Sequence, residues 1–163
     1  METWYENLQR WLPLETMLRL LVAIAAGALI GWEREWREKP AGLRTHMLVA
    51  LGSAAFILSA IELSVGMGDE STAMRLDPIR ALAGIIGGVG FLGAGTIIQA
   101  RGSVRGLTTA ASIWLSAAIG TSCGMGLYRL AFTAGLLALC VLWAIGSLER
   151  SVLRTKAASS DEV

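Results

Sequence analysis

Four stretches of this chain run for 17 to 22 residues without an Asp, Glu, Lys or Arg: Thr45–Ile61, Ala81–Ala100, Leu107–Tyr128 and Leu130–Leu148. A fifth, Leu14–Trp32, carries only Glu15 and Arg19, spaced i,i+4 so that they can pair on one helix face. A helix needs about 20 mostly apolar residues to cross the hydrocarbon core of a bilayer. Five such runs in 163 residues leave almost no polar surface for a water-soluble globule. The reading is therefore an all-α integral membrane protein with about five transmembrane helices.

Composition narrows the functions. Charged residues are 17% of the chain and hydrophobic residues 54%, with a mean hydropathy of +0.57. A net charge of +1 supplies no field to attract DNA or RNA, so nucleic acid is not an expected partner. Cys123 and Cys140 lie in apolar runs and read as free thiols packed like small hydrophobes. No zinc spacing, catalytic triad or phosphate loop is present, so neither a cofactor nor enzyme activity is expected. Gly88, Gly90 and Gly93 match a dinucleotide fingerprint in letters only, because no strand precedes them.

The loops assign sidedness. Nine Lys/Arg fall between spans one and two, between spans three and four, and after span five; four fall on the opposite side. The richer side belongs in the cytoplasm, which puts the N-terminus outside and the C-terminus inside. Trp11 and Trp32 are roughly 32 Å apart along a helix and suit two interfacial anchors. Residues 1–150 form the membrane domain, and 151–163 read as a short, disordered cytoplasmic tail.

A shift of 64 residues aligns Gly31 with Gly95, Arg37 with Arg101, Gly42-Leu43 with Gly106-Leu107 and Thr45 with Thr109. A parallel repeat of two helical hairpins plus a fifth span is one reading. Coincidence within a small apolar alphabet is the other.

Glycines at four-residue spacing, Gly27 with Gly31 and Gly84 with Gly88, suit close helix packing, as do Gly93 and Gly95. Asp77-Pro78 reads first as a helix N-cap; with Asp69 and Glu70 it also offers carboxylates for an outer cation site. At the inner surface, Arg44 and Arg105 sit where helices begin, against the macrodipole. That conflict suggests a knot of Glu33, Arg34, Arg44 and Arg105, with Glu33 the nearest partner carboxylate, or else a ligand site. Thr45, Thr108 and Thr109 can cap or bond between helices. His46 reads as an interfacial histidine, with a pH sensor as the sharper alternative.

Three strings carry a family resemblance. They are Gly31-Trp32-Glu33-Arg34-Glu35 followed by Lys39-Pro40-Ala41-Gly42-Leu43-Arg44-Thr45-His46; Asp77-Pro78-Ile79-Arg80 followed by Gly90-Phe91-Leu92-Gly93-Ala94-Gly95; and Val104-Arg105-Gly106-Leu107-Thr108-Thr109-Ala110-Ala111 with Trp114. Together they resemble the signatures of the MgtC/SapB family, over roughly Leu18–Leu142. The resemblance implies a multi-pass bacterial inner-membrane protein linked to growth in low magnesium, survival inside phagocytes and acid tolerance. It implies a regulator of other membrane proteins, the F-type ATP synthase among them. The glycine faces themselves suit contacts with partner membrane proteins and a homodimer. Two departures are visible. Virulence-type members carry a soluble ACT-like C-terminal domain where this chain stops, so a short form is expected. They also have Asn, at a position tied to function, where this chain has Thr108. The motif residues Glu33, Arg34, Arg44, Thr45, Asp77, Arg80, Arg105, Thr108 and Thr109 are the functional candidates. A small magnesium, proton or anion transporter or channel is the alternative.

A reporter fused after Val163 is expected to be active only in the cytoplasm; activity in the periplasm reverses the sidedness.

Overall fold

The computed structural model describes residues 14–66, 78–100 and 103–145. Helix α1 (Leu14–Trp36) is followed by α2 (Leu43–Gly66) and α3 (Pro78–Ala94). Two short strands, β1 (Ile98–Ala100) and β2 (Ser103–Arg105), precede α4 (Leu107–Gly124) and α5 (Tyr128–Cys140). A π-helical turn, Val141–Ile145, continues α5. The strands pair antiparallel, Ile98 opposite Arg105 and Ala100 opposite Ser103.

Helix ends follow from local chemistry. Past α1, Glu38 adopts φ 52° and Ala41 φ 58°, and the Lys39 amide donates to the Arg34 carbonyl at 2.9 Å. This left-handed stop is sealed by Pro40, which cannot continue a helix. Helix α4 ends in the same way. Gly126 takes φ 76° and the Leu127 amide reaches the Ser122 carbonyl at 2.8 Å. Arg19 then donates to the Gly124 carbonyl at 2.9 Å while pairing with Glu15, so a cation sits at the negative end of α4. At the start of α4, Gly106 has φ 89°, and a Cβ there would lie 2.0 Å from the Thr96 carbonyl oxygen. Only glycine fits.

Two sequence expectations are corrected. The third run does not stay helical to Ala100; α3 stops at Ala94, and Ile98–Ala100 form β1. Absence of charge fixes burial in lipid or protein, not helicity. After Gly95, the β-branched Thr96-Ile97-Ile98 favour an extended backbone. The fourth run breaks at Gly124 rather than Tyr128, because the turn at Gly126 intervenes. Among the described residues, Leu14–Trp36 and Leu43–Ser64 are long and apolar enough to cross a membrane; Pro78–Ala94 and Tyr128–Ala144 are apolar but shorter. The tail 151–163 lies outside the described residues.

Helices α1 and α3 run in one direction and α2 and α4 in the other, as contacts between Gly31 and Leu43, Gly93 and Ala110, and His46 and Ser112 require. Helix α2 packs between α1 and α4 at backbone distance. A Cβ on Gly27 would sit 2.5 Å from the His46 carbonyl oxygen, and one on Gly120 2.2 Å from that of Ala50. Gly124 is as tight against Ala54. The facing pairs Gly120/Gly124 and Ala50/Ala54 are both small-xxx-small, the spacing that lets helices approach closely where lipid supplies no hydrophobic drive. Sequence reasoning singled out Gly27 and Gly31 but not the α4 pair.

The core is built of small residues. One cluster joins Ala23, Ile30, Ala54, Ile119, Cys123 and Ala131 across α1, α2, α4 and α5. A second joins Ile57, Ile85, Val89, Ile113 and Ala117 across α2, α3 and α4. Cys123 is buried as expected, whereas Cys140 is exposed on α5, which corrects its reading as a packed thiol. Large apolar side chains point outward from every helix: Leu21 and Leu29, Leu48 and Phe56, Phe91, Trp114, Phe132 and Leu137. Such a surface suits hydrocarbon rather than water.

Gly120→Ala is expected to lower thermal stability in detergent by about 1–3 kcal/mol through overpacking. Gly84→Ala, with nothing within 4 Å, should leave stability unchanged or raise it. Equal losses in the two unfolding midpoints would refute this packing scheme.

Candidate functional site

The described interior contains eight buried polar or charged residues, and five of them gather at one end of the bundle. These are Glu33 and Arg34 on α1, His46 on α2, and Thr109 and Ser112 on α4. Their positions follow from the glycine contacts. Gly27 and Gly31 draw the last turns of α1 onto α2, one turn from Glu33 and Arg34.

Arg34 is 4% exposed, and its Nη2 donates to Thr109 Oγ1 at 3.2 Å. Glu33 is 6% exposed; Arg37 Nε lies 2.6 Å from its Oε1, and neither carboxylate oxygen has an aligned hydrogen bond. The Nη2 of Arg37 also donates to the Trp143 carbonyl at 3.4 Å, linking α1 to the end of α5. Glu33 thus pairs with the part-exposed Arg37 and adjoins the buried Arg34.

His46 is fully buried. Its Nδ1 lies 2.9 Å from the Gly42 carbonyl oxygen, which only accepts, so Nδ1 carries a proton. In the neutral ring Nε2 then accepts from the Ser112 hydroxyl, 3.1 Å away. The Thr109 carbonyl, 2.9 Å from the same hydroxyl, competes for that one proton. The imidazole therefore joins α2 to α4, buried between helices near the start of both. The signal missed was Ser112, three residues after Thr109 on one face of α4.

The expected knot is only half assembled. Glu33 and Arg34 enter it, joined by Arg37, Thr109, Ser112 and His46, whereas Arg44 and Arg105 stand exposed at the same end. The conflict between Arg44 and the macrodipole of α2 is answered by a different carboxylate. Glu35 Oε2 accepts from the Leu43 amide at 2.7 Å, and Gly42 leaves it room, since a Cβ there would lie 2.6 Å from that oxygen. Thr45 and Thr108 are exposed, and Arg80 is exposed in the first turn of α3 at the opposite end. Asp69, Glu70 and Asp77 lie outside the described residues, so the outer cation site does too. On α3, Gly93 packs against Ala110 and Gly95 follows the helix end. Gly84 and Gly88 face an open apolar groove shared with Leu48, Gly52 and Phe56 of α2.

Comparison with known proteins gives the family. The model of the MgtC family matches residues 20–151. The chain belongs to the MgtC family. It is 46% identical over 132 residues to "Protein MgtC" of Salmonella typhimurium (strain LT2), covering 81% of this chain and 53% of that protein. It is 43% identical over 130 residues to "Putative magnesium transporter YhiD" of Escherichia coli (strain K12), covering 78% of this chain and 59% of that protein. The chain thus spans little more than half the length of these MgtC-family relatives. No solved structure matches it. As a member of the MgtC family with outward-facing apolar helices, it is a membrane protein.

Ser112→Ala removes the donor that the described residues place at His46 Nε2 and is expected to cost about 1–3 kcal/mol, the penalty of an orphaned buried acceptor. Arg44→Gln, at an exposed position, should stay within about 0.5 kcal/mol. Unfolding midpoints in detergent micelles check both.

Proposed function

We propose that this MgtC-family protein is a non-catalytic module of the bacterial inner membrane. It crosses the bilayer five times with its C-terminus in the cytoplasm. It modulates partner membrane proteins during magnesium homeostasis or adaptation to acid and host stress. The observation that carries the reading is the outward face of α3. Among the described residues, Gly84, Gly87, Gly88 and Gly90 meet no atom within 4 Å of a Cβ position, whereas Gly27, Gly31, Gly120 and Gly124 all serve contacts between helices. Glycine weakens a helix by about 1 kcal/mol each relative to alanine in water. Four unused ones are best accounted for by a helix from outside, either another membrane protein or a second copy.

Transport of magnesium, raised by the name of the Escherichia coli relative, is the second reading. It needs a carboxylate free to meet a cation. Glu33, buried near the end of α1, is already paired with Arg37 and adjoins Arg34, which favours the modulatory role.

Liposomes containing the purified protein separate the two. The proposal expects magnesium and proton flux no greater than in empty vesicles, together with a membrane complex that co-purifies with the wild type and is lost in Gly84→Leu/Gly88→Leu. Protein-dependent magnesium flux overturns it in favour of the transporter.

A further inference from the structure

We infer that the N-terminus of α4 is a binding site for a phosphate group, the headgroup of an anionic phospholipid or a free phosphate ion, independent of the role proposed above. At the end of the bundle where α2 and α4 begin, Glu33 and Arg34 are the buried charged residues among those described, and Glu33 pairs with the part-exposed Arg37. Arg34 itself has no ion pair among the described residues, since Glu33 is taken by Arg37. Its Nε has no hydrogen-bond partner, and its Nη2 is held on Thr109, in the first turn of α4. Burying an uncompensated charge is costly unless a counter-charge lies close by.

The helix itself adds to this positive charge. Its N-terminus carries free amides and roughly half a positive charge, the feature that draws phosphate groups to such ends. The two helix starts at this end differ. That of α2 is served by the Glu35 carboxylate, whereas that of α4 begins after Gly106 with no side-chain cap. A buried cation therefore lies where a carboxylate would ordinarily be.

The accessible surroundings are of the right kind. Arg105 and Thr108, exposed on either side of Gly106-Leu107, supply a guanidinium and a hydroxyl to a ligand approaching along the helix axis. Arg44 is exposed in the first turn of the neighbouring α2. Ile98, Val104 and Leu107 are half or more exposed around the same point, apolar surface that would lie against acyl chains. A phosphate's double negative charge, or the single charge of a phosphodiester, would offset Arg34 and the helix dipole together.

The test uses the whole chain purified in an uncharged maltoside detergent. Its thermal midpoint is followed at constant ionic strength during titration with dioleoylphosphatidylglycerol, dioleoylglycerol or inorganic phosphate. The expected result is a saturable rise with a phosphate-bearing probe and none with dioleoylglycerol, which has the same chains without the phosphate. A response to phosphatidylglycerol alone assigns the lipid headgroup, and a response to inorganic phosphate assigns the free ion. Arg105→Gln and Thr108→Ala should each raise the half-saturating concentration about tenfold or more, since each removes one accessible contact to the anion. Arg80→Gln, which removes an exposed arginine at the other end of the bundle, should leave it unchanged. The inference is overturned if neither phosphate probe gives a saturable response, if dioleoylglycerol acts equally, or if Arg80→Gln weakens binding as much as Arg105→Gln.

Discussion

One turn of α2, from His46 to Ala50, meets two other helices at backbone distance, and the rest of the bundle depends on that contact. Gly27 of α1 approaches the His46 carbonyl and Gly120 of α4 that of Ala50, each more closely than a Cβ would allow. In lipid, helices gain nothing by hiding apolar surface from water, so close van der Waals contact and interhelical hydrogen bonds must hold them. Small residues on three helices meet that requirement along one line. Bulk is pushed outward, where Leu29, Phe56, Phe91 and Phe132 face the surroundings.

The same close approach makes the polar interior possible. With α1 and α4 both drawn onto α2, the side chains one turn beyond the glycine contacts are carried inward. Arg34 meets Thr109, and His46 meets Ser112. Partnered in this way, buried polar groups fix which helix faces meet. Arg34, buried and without an ion pair among the described residues, sits beside the start of α4, which has no side-chain cap. The opposite end is handled differently. There Arg19, paired with Glu15, closes the C-terminus of α4, so cation and dipole agree.

Much of the fold was legible because lipid imposes simple rules. Charge-free runs marked the helices, and glycine spacing marked the seam between α1 and α2. The i,i+4 pair Glu15 and Arg19 formed as the spacing suggested. The hairpin Ile98–Arg105 was not legible, since a run without charge says nothing of backbone conformation there. Nor were the partners of the inner arginines. Arg44 and Arg105 looked equivalent to Arg34 because all three lie near helix ends. Only Arg34 is on the face that the Gly27 and Gly31 contacts turn inward.

By itself, the sequence determined that most of this polypeptide belongs in lipid as a set of antiparallel helices, and that its family is MgtC. Hydropathy and motif letters are properties of single segments and can be read one at a time. The tertiary structure alone decided which polar residues share the interior. Whether His46 meets lipid or Ser112, and whether Arg34 or Arg105 is buried, depends on how each helix is rotated about its axis. That rotation is set by backbone contacts between helices far apart in the chain.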